Sequence, residues 1–331
     1  MLARHLYFFS GGAGHNDELR VNVMIYTITL NPALDRTIRI NATSLDDCNR
    51  IENEQMYAGG KGIDVSKVLT SFGVKNKAIG FVGGFAGEEL EGMLINEGIA
   101  CDFVRIAGKT RTNIIINDMA SGNQTLYNAK GPVISAYELM QLIHKVEDFE
   151  QPDFVILCGS LPRGVNPEIY RKIIEISKSK GAKVILDTDG EALRIGLQEC
   201  PTIIKPNIHE LNRISNKQLD TIESIVLVAK EMRVCGLEII LVSMGEGGMI
   251  MICEEGQYLA KPPEVDVKNT IGAGDSAVAG FIYGLTTKGD IKEALKYSVA
   301  SGTATILQTG TAVCKQEDFH ALLNQITLEE I

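Results

Sequence analysis

The chain has 331 residues, 45% of them hydrophobic and 22% charged, which is apolar material for a large core and a length that one α/β domain can reach. A formal net charge of −10 argues against a general nucleic-acid binder, and no apolar run reaches the roughly 18–20 residues of a membrane-spanning helix. Any anion this protein binds must be held by cations gathered locally.

Residues 1–23 differ from the rest. They show no sustained apolar stretch and no small-residue cleavage pattern, so they do not read as a signal peptide. This extension is expected to be flexible or artefactual, leaving 24–331 as one domain that opens at Met24. The seven cysteines show neither CxxC pairs nor Cys/His zinc spacing, and several lie in apolar runs. Buried, reduced thiols in a cytoplasmic protein are the expectation.

From Met24, β-branched runs alternate with amphipathic stretches. A first strand, MIYTITL, precedes a helix over Ile63–Phe72, with apolar residues at 63, 65, 68, 69 and 72. A strand follows at Ala78–Val82, a helix at Glu88–Glu97, a strand at Asp153–Leu157 and a helix at Pro167–Lys180. Next come strands Lys183–Asp187 and Thr202–Lys205, helix Leu219–Cys235 and strand Glu238–Val242. Helices around Ser276–Thr287, Ile291–Thr305 and Gln316–Gln325 close the chain. Such alternation predicts a mainly parallel sheet covered on both faces. Two stretches break it: 36–57 and 108–130 read as extended and partly polar, and are expected to form a small second sheet, a lid.

Four segments carry the chemistry. In NTIGAGDSAVAGF (Asn269–Phe281), Gly272, Ala273 and Gly274 stand just before a helix, where free N–H groups and the helix dipole attract anions. Asp275 then stands where a carboxylate can take a proton from an attacking hydroxyl. A plain glycine turn with an acidic first turn explains the same pattern. In AGGKGIDVS (Ala58–Ser66), glycines again precede a helix, with Lys61 among them, suiting a polar or anionic ligand or a structural turn. In KTRTN (Lys109–Asn113), two cations at alternate strand positions face one side, and Arg50 adds a third on the other lid stretch. Solvated edge charges are the alternative there. In KPNIHE (Lys205–Glu210), Asn207 and Glu210 stand where they can organise Mg²⁺ through its waters, or simply start a helix. A P-loop and a GxGxxG fingerprint after the first strand are both absent.

These segments occur in order with NPALD (Asn31–Asp35), GSLPRG (Gly159–Gly164) and DTDGEAL (Asp187–Leu193). Together they resemble the PfkB carbohydrate kinase family over essentially all of Met24 to the C-terminus. The branch resembled includes 1-phosphofructokinase and tagatose-6-phosphate kinase. The resemblance implies a ribokinase-like three-layer α/β/α sandwich with a β-sheet lid, and an ATP- and Mg²⁺-dependent kinase of a phosphorylated ketohexose. Fructose 1-phosphate is the favoured acceptor, with tagatose 6-phosphate and fructose 6-phosphate as competitors. A kinase of neutral sugars or nucleosides, or a sugar-phosphate sensor without turnover, are the alternatives.

Carried over residue by residue, the resemblance makes Asp275 the base and Gly272, Ala273 and Gly274 the anion hole. Asn207 and Glu210 would place Mg²⁺ and the ATP phosphates. Asp35, with the backbone of Gly59 and Gly60, would hold sugar hydroxyls, and Arg50, Lys61 and Arg111 would grip the phosphate already on the sugar. Adenine would lie between the turn holding Ser243, Gly245 and Gly248 and the segment holding Gly310 and Thr311. Lid strands would close over the sugar and pair two subunits into a homodimer. Two departures stand out: Asp64, counted among the substrate-binding residues, where the family usually has Asn, and Asp189 where Ser is more usual. A carboxylate at position 64 beside a sugar phosphate is unfavourable unless it is protonated, paired with a cation or turned towards hydroxyls.

Overall fold

The computed structural model describes residues 23–233, 236–310 and 312–331, so the N-terminal extension lies almost entirely outside the described residues, as do Cys235 and Thr311. The chain begins with β1 (Ile25–Thr29), β2 (Ala33–Ile40), β3 (Ile51–Gly59), α1 (Lys61–Ser71), β4 (Asn76–Val82) and α2 (Gly84–Asn96). Short strands β5 (Ala100–Cys101) and β6 (Val104–Arg105) lead to β7 (Arg111–Asp118), β8 (Gln124–Tyr127) and α3 (Ala136–Glu147). The alternating middle comprises β9 (Phe154–Cys158), α4 (Glu168–Ser179), β10 (Lys183–Asp187), α5 (Gly190–Gly196), β11 (Ile203–Ile204), α6 (Ile208–Ser215), α7 (Ile222–Arg233) and β12 (Ile239–Ser243). Last come β13 (Met249–Cys253), β14 (Gly256–Lys261), α8 (Ala273–Lys288), α9 (Ile291–Ile306), α10 (Gln316–Leu323) and β15 (Thr327–Glu330).

The large sheet runs β15-β14-β13-β12-β11-β10-β9-β1-β4-β5, with β6 also paired to β4. Neighbours from β12 through β5 are parallel, and β13, β14 and β15 extend that edge antiparallel. Burial of both sheet faces explains the continuous apolar runs. On β9, Val155 and Leu157 join one core with β1's Tyr26 and Ile28 and with helices α3, α4 and α7. Phe154, Ile156 and Cys158 join the other, against α1, α8, α9 and α10. That is the expected three-layer sandwich. The second sheet, β3-β2-β7-β8, overlaps the stretches 36–57 and 108–130, although β2 starts earlier, at Ala33. It is hinged to the body through a small core of Leu34, Ala58, Ile63, Leu90 and Leu94.

Two features depart from the sequence expectation. Helix α3 fills a stretch left unassigned, although its start carries a capping box. Ser135 Oγ accepts from the Glu138 N–H at 3.3 Å, and Glu138 Oε2 accepts from the Ser135 N–H at 2.7 Å. The antiparallel edge was also unread, because MIMIC in β13 is an unbroken buried run with no period to distinguish strand from helix.

Helices α8 and α9 approach closely because Gly280 and Gly284 lack side chains. A Cβ on Gly280 would lie 2.3 Å from Ser301 Oγ and 2.5 Å from the Tyr297 carbonyl oxygen. Alanine gains about 1 kcal/mol of helix propensity over glycine, but overpacking against a fixed carbonyl costs about 1–3 kcal/mol. Gly280→Ala is therefore expected to lower stability by up to about 2 kcal/mol, read as a drop in the urea midpoint.

Candidate active site

The site gathers at the C-terminal ends of the parallel strands, where open α/β sheets place their ligands. Strand β10 ends on Asp187, which is 1% exposed. Lys205 follows β11 directly and is 4% exposed. A carboxylate so deeply buried needs cations, and it has two: Lys61 Nζ donates to Asp187 Oδ1 at 3.0 Å, and Lys205 Nζ lies 3.4 Å from Oδ2. Lys61 is the first residue of α1, so one buried carboxylate ties β10, the segment after β11 and α1 together.

Asp275 sits in the first turn of α8, buried, within the field of the same groups. Burial raises its pKa, Lys61 and Lys205 pull it down, and Asp187 and Glu210 push it up, leaving it at about 6. At Lys61 burial alone would favour the neutral amine, but Asp187, Asp275 and Glu210 outweigh it and hold the ammonium charged.

Gly272, at φ +79°, occupies the left-handed region and turns the chain into α8. The N–H groups of Gly274 and Asp275 then lie in the first turn, where no carbonyl four residues back can accept from them. A Cβ on Gly274 would lie 3.1 Å from Lys205 Nζ, so glycine there brings an ammonium against the helix end. Asn269 fixes the approach: its Oδ1 accepts from Ile271 N–H at 3.1 Å and its Nδ2 donates to the Gly310 carbonyl.

The residues expected to hold the sugar lie at the base of the second sheet. Asp35 Oδ1 accepts from Asn113 Nδ2 at 2.8 Å, across the β2–β7 register. A Cβ on Gly59 would lie 2.3 Å from Asp35 Oδ2, so glycine lets that carboxylate rest on the backbone of β3. Gly60, at φ +131°, leads the chain into α1. Asp64 is buried in α1 with Lys67 Nζ 3.9 Å away, and Lys67 also donates to the Ala58 carbonyl. Burial first of all drives the Asp64 carboxyl well above the ordinary range; Lys67 opposes this, while Asp275 and Asp35 add to it. Lys67 is the cation nearest to this carboxyl, but the net effect of burial and the neighbouring carboxyls favours its neutral form.

The other assigned residues fall as follows. Asn207 and Glu210 form a reciprocal capping box at the start of α6, each accepting from the other's backbone N–H at 2.9 Å. That engages Glu210 Oε2 and leaves Oε1 as an acceptor. Among the described residues no group of three or more His, Cys, Asp or Glu is placed to cage a metal. This donor set fits Mg²⁺, which keeps its waters and takes oxygens from phosphates. Ser243 ends β12 and bridges to Asn207, while Gly245 and Gly248 shape the turn into β13, both at positive φ. Gly310, at φ +68°, lies against Tyr57 of β3. Asp189 turns out to cap α5 and to pair with Arg213 at 2.7 Å, a structural use.

The three cations expected at one phosphate do not come together. Lys61 is engaged by Asp187 in the buried charge cluster beside Asp275. Arg111 lies at the base of the lid, bonded to the carbonyls of Asn31 and Ala129. Arg50 precedes Ile51 at the far end of the β2–β3 hairpin, exposed, nine residues along the chain from Gly59. At about 3.3 Å per residue that is roughly 30 Å from the site within this chain. Conversely, Asp187, Lys205 and Asn269 were not singled out, although the first two are charges ending buried apolar runs, KVILD and TIIK, which is a signal for a site.

Residues 28–318 match the pfkB family carbohydrate kinase description. The chain is 36% identical over 282 residues to 1-phosphofructokinase from Bacillus subtilis, covering 85% of this chain and 92% of that one. It is 34% identical to tagatose-6-phosphate kinase from Staphylococcus epidermidis over 93% of this chain and the whole of that one. The crystal structure of phosphofructokinase-2 from Escherichia coli in complex with fructose-6-phosphate superposes with a TM-score of 0.86 at 29% identity, over 92% of this chain and 99% of that one. The chain belongs to the pfkB family of carbohydrate kinases.

A base with a pKa of about 6 is protonated below that pH, so kcat/KM is expected to rise with pH through about 6. Asp187 raises that pKa, so Asp187→Asn should move the limb to lower pH. Asp275→Asn should abolish most turnover and stabilise the fold. The folded pKa exceeds the ordinary 3.8, so stability is fully present below about 3.8 and declines as pH rises through about 6. The gap corresponds to about 3 kcal/mol at about 1.4 per pH decade. A rise of about 1–3 kcal/mol in unfolding free energy at pH 7.5, shrinking towards pH 4, is the expected result.

Proposed function

We propose that this protein transfers the γ-phosphoryl group of ATP to a hydroxyl of a phosphorylated ketohexose, with fructose 1-phosphate the favoured acceptor and fructose 1,6-bisphosphate the product. The observation that carries the reading is the buried Asp275 carboxyl at the N-terminus of α8, flanked by Lys61 and Lys205. A proton acceptor with a pKa of about 6, beside two ammonium groups and free backbone N–H groups, suits phosphoryl transfer to an alcohol.

In this reading Asp35 and Asn113 orient the sugar hydroxyls, and Asp275 takes the proton from the attacking one. The sugar oxygen then forms its bond to the γ-phosphorus as the bridging bond to ADP breaks. The N–H groups of Gly274 and Asp275, with Lys61 and Lys205, offset the negative charge on the migrating group. Bound Mg²⁺ supplies further charge neutralisation of the ATP phosphates, and the carboxylate of Glu210 is the group we assign to hold its waters. The turn with Ser243, Gly245 and Gly248 and the segment at Gly310 are assigned to adenine.

The names of the relatives support a phosphorylated acceptor, and tagatose 6-phosphate and fructose 6-phosphate are the competing substrates. Buried thiols at Cys158, Cys253 and Cys314 suit a cytoplasmic enzyme, which is the location we assign. No described helix is long and apolar enough to cross a membrane. The lid's cross-strand row Met56, Arg36, Ile114 and Tyr127 exposes three apolar side chains, and we assign that face to contact between two subunits.

The deciding measurement is ADP release with Mg-ATP and a panel of fructose 1-phosphate, fructose 6-phosphate, tagatose 6-phosphate, fructose, ribose and adenosine. One ketose phosphate should exceed every neutral acceptor in kcat/KM by orders of magnitude. Turnover confined to neutral acceptors would refute the reading. Sugar-phosphate binding without turnover would make the protein a sensor instead.

A further inference from the structure

Three carboxyl groups, those of Asp35, Asp64 and Asp275, converge from β2, α1 and α8. The proposed mechanism employs Asp35 and Asp275 and leaves Asp64 over. Three residues after Lys61, Asp64 lies on the same face of α1, the face from which Lys61 reaches Asp187. It is 9% exposed, and no described residue gives either of its carboxyl oxygens a hydrogen bond. Lys67 Nζ lies 3.9 Å from Oδ1, too far for such a bond, and donates instead to the Ala58 carbonyl. A polar group this deeply buried and without a partner is costly, and it points to a ligand that completes it.

The charges around Asp64 decide which form of it the site accepts. Lys67 on α1 draws it towards ionisation, whereas Asp275 on α8, Asp35 on β2 and Glu97 at the end of α2 surround it with negative charge. The other elements packed on α1 do not relieve this. Strand β1 carries no charge and β9 only the Cys158 thiol, while Lys77 of β4 is turned to the Tyr26 ring. On β3, Glu52 is bonded by Asn41 and Glu54 is paired with Arg36. The Lys67 ammonium acts on Asp35 as well as on Asp64, so two carboxyls share one cation. Asp35 has further support for its charge in the Asn113 hydrogen bond and in Arg111. Asp64 has neither, so of the two it is the one that keeps a proton.

We infer that Asp64 works as a carboxylic acid that donates its proton in a hydrogen bond to an oxygen of the acceptor sugar, so that the acceptor binds while this proton is present and is released when it leaves. The inference rests on the phosphoketose kinase reading above. A protonated carboxyl offers an O–H donor beside a carbonyl acceptor, the same two capabilities that an asparagine amide has at this position in the family pattern. A carboxylate offers acceptors alone and sets a charge beside a substrate that already carries a phosphate. Asp64 and Asp275 then have opposite requirements, the donor protonated and the base ionised. The two are coupled in the useful direction, because an ionised Asp275 adds to the field that keeps the proton on Asp64. The protonated form of Asp64 prevails at low pH and gives way as pH rises, so this carboxyl closes the alkaline side of the activity window. Asp275, at about 6, closes the acid side.

The test compares the whole wild-type chain with Asp64→Asn, a change of nearly equal shape, in two readouts. Infrared difference spectra, wild type minus variant, isolate the C=O stretch of a protonated Asp64 and need no turnover. That band should be present at neutral pH and should move to lower frequency when fructose 1-phosphate is added. The second readout is the KM for fructose 1-phosphate at saturating Mg-ATP, from about pH 6 to about pH 9. The wild-type KM should stay level wherever the band persists and rise about tenfold per pH unit wherever the band is lost, as a single ionisation requires. The asparagine amide donates at every pH, so the KM of the variant should not rise over that range. Titration of the sugar phosphate itself is common to both proteins and cancels in the comparison. Both should keep the fall of kcat/KM below about 6 that Asp275 imposes. A band missing at neutral pH, a band indifferent to the sugar, a KM that does not follow the band, or an equal alkaline rise in the variant overturns the inference and leaves the kinase reading standing. A wild type inactive on every ketose phosphate brings down the kinase reading, and the response of the band to fructose 1-phosphate still decides the role of Asp64.

Discussion

The centre of this protein depends on one buried carboxylate with two cations. Asp187 is almost wholly removed from water, and an ionised group in that position is tolerable only while Lys61 and Lys205 stay beside it. The pairing fixes more than charge. Lys61 reaches Asp187 only if α1 starts where the Gly59–Gly60 turn puts it, and the same turn leaves room for Asp35. Lys205 reaches Asp187 across the C-terminal ends of β10 and β11 and lies close enough to α8 that a Cβ at position 274 would press on its ammonium at 3.1 Å. Asp35, the N-terminus of α8 and the candidate base Asp275 are therefore located by the neighbours of Asp187.

This arrangement also explains the state of Asp275. Two ammonium groups would ordinarily hold a carboxyl far down, but Asp187 shares both of them, and burial with Glu210 adds to the opposing side. The balance leaves a group near pH 6 rather than near 4, ionised at neutral pH yet basic enough to accept a proton. A fully neutralised Asp275 would be a poor base, and an unpaired one would be too costly to bury.

Much of this was legible in the sequence, because the elements that matter are punctuated by glycines and charges that have a local physical meaning. The α8 start announces itself through Gly272 and Gly274, the α1 start through Gly59 and Gly60, and the lid through its interruption of the strand–helix alternation. The cation set was less legible. Lys109 and Arg111 read as one face of a strand, but the strand starts only at Arg111, and the cavity they line is completed by Lys130 and Arg163 from distant stretches of chain. Alternation along a strand places side chains on a face; only the tertiary fold shows which loops close over that face. Lys61 fell to the same limit in reverse. Among glycines it reads as a free cation for a ligand, whereas the fold gives it a buried carboxylate 126 positions away.

Asp64 shows how a departure from a family pattern is absorbed. Its carboxyl lies on α1 between the fields of Asp35 and Asp275, where another negative charge works against both the fold and any anionic substrate. Lys67, one helical turn on, offsets part of it, and the Lys67 ammonium is itself anchored to the Ala58 carbonyl just before the Gly59–Gly60 turn. Lys67 does not outweigh burial and the two carboxyls, so the surroundings of Asp64 favour its neutral form and no extra charge need be held there. Lys67 makes its other bond to the backbone just before the turn that leaves room for Asp35. Asp189, the other departure, is spent at the surface on capping α5 and pairing with Arg213. Both acidic replacements therefore leave the electrostatics around Asp187 and Asp275 to the same two lysines.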